Sequence, residues 1–311
     1  MRRVMFIGLL LLMAAGQVQA GIFAPSYTAG FVFQDQLPGV SPWHTMGLTF
    51  DGTSYWSVSG GNTDPPRSAQ YNGAGNLIAT YPSGLDFRSV FVDGSGNVYA
   101  RTFASGTIYR QTSPGVYSPS GVVLTGGSLD AQSSVVLNSA GTEYDAMSGG
   151  LVSRWALNGS FLGSVSLSGF GSQNSENVYP ADRGLAAAGG YWLTYSNGVL
   201  SAWDASGNRV DDTILVGAGT TFDSHFSLSY ANGMAFVVDT SNSWWRGYDV
   251  GLEGPVIPEP ASMVIWAAGG LCAAGAAALR RRRTLRTATR RARWSEENRN
   301  AILAVVHVDR G

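Results

Sequence analysis

Three features of the sequence predict an all-β fold. Short apolar and aromatic runs alternate with glycine turns throughout residues 21–254. Glycine is abundant at 41 residues, while charged residues make up only 13% of the chain, against about a quarter in an ordinary domain. A unit of about 45 residues also recurs along this stretch.

Each unit holds two hairpins. The first half is an apolar strand, a glycine turn and an aromatic strand, beginning at Leu48, Val90, Val135, Leu185 and Leu228. Equivalent positions Phe50, Val92, Leu137, Ala187 and Tyr230 are 42, 45, 50 and 43 residues apart. In the second half an aromatic precedes a polar glycine turn, as in Tyr71-Asn72-Gly73, Trp155 with Asn158-Gly159, and Trp203-Asp204 with Gly207. Asn-Gly and Asp-Gly pairs supply the positive φ that tight hairpins need. Two hairpins make a four-stranded antiparallel sheet, the size of one β-propeller blade, and the repeat predicts about five blades. A β-sandwich or β-helix is the competing architecture. Runs such as Val135-Val136-Leu137, apolar on both faces of a strand, suit stacked blades better. The last unit ends at Val250 with three strands, so Tyr27–Gln34 is expected to supply the outer strand of the last blade and close the ring.

The two ends read as addresses. Arg2 and Arg3, an apolar run Val4–Ala15 and small residues Val18 and Ala20 make residues 1–20 a secretory signal peptide cleaved after Ala20. The apolar run is too short to span about 30 Å of hydrocarbon. A second apolar run, 261–279, carries no charge and stops at Arg280, Arg281, Arg282 and Arg283. At 1.5 Å per residue it reaches about 28 Å, enough for one transmembrane helix. The four arginines stop the span and fix its orientation, staying cytoplasmic and leaving the body outside.

Ahead of this helix stands Pro258-Glu259-Pro260, a stiff extended segment because proline fixes φ and bars helix at its predecessor. A Pro-Glu-Pro motif, one apolar span and an arginine cluster in that order resemble the PEP-CTERM sorting signal. The resemblance covers residues 256–283. It implies recognition by an exosortase, a membrane-embedded cysteine protease-transpeptidase that processes its substrates near the motif, with Pro258, Glu259 and Pro260 matching that motif. It further implies a context of exopolysaccharide production. The pattern departs from the family in the 28 residues beyond the arginines, a basic cytoplasmic tail expected to be disordered. The domains are therefore 1–20 signal peptide, 21–254 propeller, 255–283 sorting signal and 284–311 tail.

Charge separates body from tail. Residues 21–254 hold 8 Arg against 17 Asp plus Glu, a net charge of −9, and residues 280–311 a net charge of +7. An acidic body argues against nucleic acid as partner, because phosphates require a positive surface. All 20 basic residues are arginine; there is no lysine. Cys272, the single cysteine, lies in the second apolar run, so the body has neither disulfides nor cysteine metal ligands.

No catalytic, cofactor or metal residue is assigned. Asp223-Ser224-His225 holds triad residue types, but neighbours on a strand face opposite ways. His44 is expected in a loop ahead of the first blade, solvated or hydrogen-bonded. Asp93-Gly94-Ser95-Gly96-Asn97 resembles a calcium loop only faintly, with Val98 and Ala104 where glycine and an acid are required, and reads as a hairpin turn. Asp211-Asp212 reads as a solvated turn. The recurring tryptophans Trp56, Trp192, Trp203, Trp244 and Trp245 are expected to pack blade against blade, and Trp43 is a better candidate for stacking on sugar. The expected function is that of an exported, non-enzymatic surface or matrix protein, partnered by exosortase, by the membrane until processed, and by polysaccharide or another surface protein. The alternative is a secreted propeller lyase or hydrolase acting on matrix polysaccharide. That enzyme should gather His44 or His225 with Arg88, Arg101 or Arg183 at the central channel, whereas a channel of serine, glycine and aliphatics would count against it.

Overall fold

The computed structural model describes residues 21–40, 44–61, 67–170, 183–218, 228–239 and 243–253. All of these belong to the unit Met1–Ile257; the separate unit Pro258–Gly311 lies outside them. Five sheets make up the fold. Blade one is β3 (Thr45–Phe50), β4 (Ser54–Ser59), β5 (Arg67–Asn72) and β6 (Leu77–Pro82). Blade two is β7 (Phe87–Val92), β8 (Val98–Thr102), β9 (Thr107–Ser113) and β10 (Val116–Val123). Blade three is β11 (Val135–Leu137), β12 (Glu143–Ser148), β13 (Leu151–Ala156) and β14 (Phe161–Ser166). Blade four is β15 (Ala186–Ala188), β16 (Tyr191–Ser196), β17 (Val199–Trp203) and β18 (Arg209–Val216). Blade five is β19 (Ser229–Ala231), β20 (Met234–Asp239) and β21 (Trp244–Tyr248), completed by β2 (Phe31–Gln34).

The first strand of each blade touches the first strand of the next, in the cycle β3–β7–β11–β15–β19–β3. The protein is therefore a five-bladed β-propeller with these strands around its axis. The buried apolar residues fall into five clusters, one per seam between blades. Serine hydroxyls tie inner strands across seams. Ser89 Oγ accepts from Val135 N–H at 3.0 Å, Ser134 Oγ from Leu185 N–H at 2.9 Å and Ser229 Oγ from Leu48 N–H at 2.9 Å. These bonds satisfy backbone donors that a strand beside the axis would otherwise leave unpaired.

The N-terminal segment closes the ring as expected, but in two pieces. Phe31–Gln34 pairs antiparallel with β21, Phe33 opposite Trp245. Ahead of it, β1 (Ser26–Thr28) pairs in parallel with β18, giving blade four a fifth strand. The chain breaks at Ala29-Gly30, where Gly30 N–H donates to the Gly247 carbonyl at 3.0 Å. A single straight strand cannot serve both blades, so the residues read as one strand are divided between two edges.

The tight turns carry the residues their geometry demands. Ser148–Leu151, Ala188–Tyr191, Ser196–Val199 and Ala231–Met234 close two-residue hairpins over Gly149-Gly150, Gly189-Gly190, Asn197-Gly198 and Asn232-Gly233. Both central residues have positive φ in all four, from 49° to 85°, as the type I′ turn requires. The longer turns are held by an Asn or Asp side chain accepting backbone N–H bonds, as Asn72 does from Ala74 and Asn76.

Candidate functional site

The inner strands surround a cavity of about 180 Å³ on the propeller axis. Its wall is built from Gly47 and Thr49 of β3, Ser89 and Val90 of β7, Val136 of β11 with Ser134 ahead of it, Ala186 of β15 and Ser229 of β19. It extends to the turns that follow the inner strands, where Gly94, Asn138 and Gly141 line it. No histidine, arginine or carboxylate is among these lining residues. Tyr230 is among them; burial, and then the charge of Asp249, push its phenol upward. Among the described residues such a wall offers hydroxyls, an amide, backbone and apolar surface but no acid–base pair.

Charge gathers at the opposite rim, on residues that precede or open the inner strands. A bulge between Phe87 and Ser89 re-aims Arg88. Arg88 Nη1 donates to Asp86 Oδ1 at 2.5 Å and to the Phe87 carbonyl at 2.6 Å, Nε donates to Gln132 Oε1, and the guanidinium lies 4.7 Å over the Phe103 ring. Arg183 pairs with Asp130, Nε to Oδ1, at 3.0 Å, and that bond is the main reason the Asp130 carboxyl sits below its ordinary range. Arg101 is 1% exposed and donates to the carbonyls of Ser105, Ala131, Ser133 and Asp130 at 2.6–2.9 Å. Burial lowers it to about 10, with the charge of Arg88 adding to the effect, so it remains a cation at neutral pH. These bonds make Arg101 a clamp on the loop that enters blade three.

His44 reaches this rim through its backbone. Its carbonyl accepts from Gly60 N–H at 2.9 Å, and Gly61 N–H donates to Asp86 Oδ1 at 2.7 Å. Its Nδ1 is buried and has no hydrogen-bond partner among the described residues, while the residue as a whole is half-buried. The structure thus brings Arg88, Arg101 and Arg183 to one rim with Asp86 and Asp130, but not into the channel. Sequence reasoning missed Asp86, Asp130 and Gln132. The available signal was an acid five to seven residues ahead of each of four inner-strand positions: Asp86 before Val92, Asp130 before Leu137, Asp182 before Ala187 and Asp223 before Tyr230.

Two buried carboxylates were also missed. Asp35, directly after β2, accepts from Tyr71 Oη at 2.6 Å, Thr45 Oγ1 at 3.0 Å and Ser57 Oγ at 3.2 Å, so it pins the closing strand to three strands of blade one. Burial raises its pKa against the pull of those bonds, and its charge in turn pushes the already buried Tyr71 phenol up. Asp145 of blade three accepts from Trp192 Nε1 of blade four at 2.7 Å, while its Oδ1 is buried without a partner among the described residues. Burial pushes Asp145 up to about 6.

The turn reading of Asp93–Asn97 holds. Asp93 Oδ1 accepts from Ser95 and Asn97 N–H, and Oδ2 from Asn97 Nδ2 and Tyr99 Oη. The carboxylate is spent on its own turn, and Asp204 repeats the pattern with Ser206 and Asn208. Asp211 and Asp212 are not a solvated turn: both are half-buried in β18, paired opposite Ala202 and Ser201, with Asp212 bonded to Arg209 and Asp211 accepting from Phe23 N–H at 2.8 Å. Among the described residues no group of three or more His, Cys, Asp or Glu is placed to hold a metal. The repeat tryptophans pack in seams as expected: Trp155, Trp203 and Trp245 are fully buried, and Trp56 and Trp192 nearly so. Trp244 departs from this at 38% exposure.

The signal peptide with Ala20, Trp43, Asp223-Ser224-His225, Pro258, Glu259, Pro260, the run 261–279, Arg280, Arg281, Arg282, Arg283 and the tail all lie outside the described residues. No helix among the described residues is long and apolar enough to cross a membrane.

Fold and axis define the class: a five-bladed β-propeller with a weakly polar channel and one charged rim. No family model matches the chain, and no curated protein does. Solved structures similar to it include a protein of unknown function from Bacteroides thetaiotaomicron, 13% identical over 69% of this chain and 71% of that one, with a TM-score of 0.46. Regucalcin from Agrobacterium tumefaciens, a calcium-binding protein, is 12% identical over 74% and 97%, with a TM-score of 0.46. Virginiamycin B lyase from Staphylococcus aureus is 15% identical over 68% and 72%, with a TM-score of 0.37.

Proposed function

We propose that this chain is an exported surface or matrix protein, sorted through residues 255–283 by an exosortase, whose propeller binds or displays rather than catalyses in a setting of exopolysaccharide. The observation that supports the non-catalytic reading is a channel wall that, among the described residues, carries hydroxyl, amide and apolar side chains and no charged one, combined with Arg88 and Arg101 being engaged by the chain's own acceptors. A group already bonded within the fold must break those bonds to serve a substrate. The sorting reading is supported by the order Pro258-Glu259-Pro260, apolar span, Arg280–Arg283, and by a signal peptide that places the body on the same side of the membrane.

The test is mass spectrometry of the protein released from the cell surface. A C-terminus close to Pro260 supports processing, and a mature protein that retains Arg280–Gly311 overturns the exosortase reading. Gathering of Asp86, Arg88, Asp130 and Arg183 at one rim favours, as a second reading, a secreted lyase or hydrolase acting on matrix polysaccharide. Depolymerisation by the purified protein that is lost in Arg183→Ala would establish it in place of the first.

A further inference from the structure

The segment Gly21–Pro25 lies along the outer edge of blade four. A Cβ built on Gly21 would collide with Asp211 Oδ2 and stand 3.0 Å from Cγ and 3.2 Å from Oδ1, which places the Gly21 backbone directly against this carboxylate. The α-nitrogen is two bonds from that Cβ position and is therefore within about 5 Å of the carboxylate. Neighbouring contacts fix this approach. Phe23 N–H donates to Asp211 Oδ2 at 2.8 Å, Thr213 Oγ1 donates to the Ala24 carbonyl at 2.7 Å and Ile214 N–H to the Pro25 carbonyl at 3.2 Å. The Phe23 ring is buried in the seam between blades four and five. Gly21 is also the residue that follows the cleavage site read from the sequence.

In the uncleaved chain the Gly21 nitrogen is a neutral amide. Hydrolysis of the Ala20–Gly21 bond consumes one water, leaves a carboxylate on Ala20 and frees an amine on Gly21 that takes up a proton. We infer that this cleavage creates an ion pair between the Gly21 α-ammonium and the Asp211 carboxylate, fastening the mature N-terminus to blade four. The inference rests on the export reading above. Among the described residues, the charged and titratable groups that these contacts bring to the Gly21–Pro25 segment are Asp211, Asp212, Arg209 and Tyr27. Asp212 is paired with Arg209 and donates its N–H to Asp211 Oδ1 at 2.9 Å, and the Tyr27 hydroxyl donates to the Val250 carbonyl at 3.3 Å. Asp211 Oδ2 is the carboxylate oxygen that faces Gly21. The ion pair forms only in the processed protein, so maturation itself tightens the segment that leads into the closing strand.

The sequence makes the test unusually direct. The chain has no lysine, so the Gly21 α-amine is the single primary amine of the cleaved protein. The full chain is produced in an exporting bacterial host, extracted in detergent and sequenced from its N-terminus. A start at Met1 overturns the export reading and this inference with it, whereas a processed start other than Gly21 overturns this inference and leaves export intact. With Gly21 confirmed, acylation by an amine-reactive ester is followed against pH. A free α-amine titrates at about 7.7–8.0, and pairing with a carboxylate should raise this by about half a unit or more. At pH 7.5 the wild type should then react about threefold more slowly than Asp211→Asn, which keeps the acceptor for Phe23 N–H. The shift should shrink in about 1 M salt. An ordinary titration that is the same in wild type and Asp211→Asn overturns the ion pair and leaves export intact. If the variant does not fold, the salt comparison on the wild type decides, and a titration insensitive to salt overturns the pair.

Discussion

Single residues set the polar character of the seams. Asp145 and Arg101 are both ionisable and buried, yet their environments differ. Arg101 has a carbonyl for most of its donors, so its charge is dispersed over the loop it holds. Asp145 has one indole N–H and an oxygen unpartnered among the described residues. Burial therefore dominates and holds its pKa near 6, above the ordinary 3.8. The sign follows from linkage. The fold favours the protonated acid, so this contribution to stability is full below about pH 4 and is lost as pH rises through 6. Holding this carboxyl near 6 instead of 3.8 corresponds to roughly 3 kcal/mol. Asp145→Asn, which can still accept from Trp192, should remove that slope. Urea midpoints at pH 4.5 and pH 7.5 check this: the wild type should lose more stability between them than the variant, in which the raised carboxyl of Asp35 remains. Equal pH dependence in the two would show that the carboxyl is ionised in the fold at no cost.

At the scale of elements, the turns govern how well the repeat can be read. Asn197-Gly198 and Asn232-Gly233 announce hairpins in the sequence, and they close hairpins in the structure. Their glycines differ from others in what surrounds them. Gly233 has φ +76° and open space where a Cβ would go, whereas a Cβ on Gly150 at φ +79° would lie 2.7 Å from the Phe170 ring. Gly233→Ala should therefore cost only the backbone term, about 1 kcal/mol, and Gly150→Ala clearly more. Thermal unfolding of the two variants measures the difference, and equal losses would remove Phe170 from the account. The five units, their hairpins and the closing role of the N-terminal segment were legible because each leaves a pattern in neighbouring residues. The split into β1 and β2 was not, since parallel pairing of Ser26–Thr28 with Ile214–Val216 joins residues nearly two hundred positions apart. The charged rim was equally hidden. Its acids stand in loops of unequal length, and the bulge that turns Arg88 toward Asp86 has no signature in Phe87–Val92, a strand buried on both faces with no alternation to interrupt.

For the whole molecule, the ring is closed where its aromatic packing is densest. Phe33 of β2 lies 5.7 Å from Tyr55, 5.0 Å from Tyr71 and 6.5 Å from Phe236, centroid to centroid, so one closing residue bridges blades five and one. Asp35, two residues later, adds its bonds to Thr45, Ser57 and Tyr71, and Asn232 Nδ2 donates to Tyr55 Oη across the same seam at 2.8 Å. The closing strand could instead be held chiefly by its ladder with β21, and the two faces of β2 separate these possibilities. Phe33 is buried and Val32, beside it, is 42% exposed, while both share the same backbone pairing. If side-chain packing in the seam closes the ring, Phe33→Ala should cost about 3–5 kcal/mol and Val32→Ala less than about 1 kcal/mol. A ring that opens at this seam also uncovers the edge of β21 with Trp244 and Trp245, a template for self-association. Phe33→Ala should accordingly aggregate at lower urea than Val32→Ala. Light scattering during unfolding reads this out, and equal stability and scattering in the two variants would assign closure to the strand ladder alone.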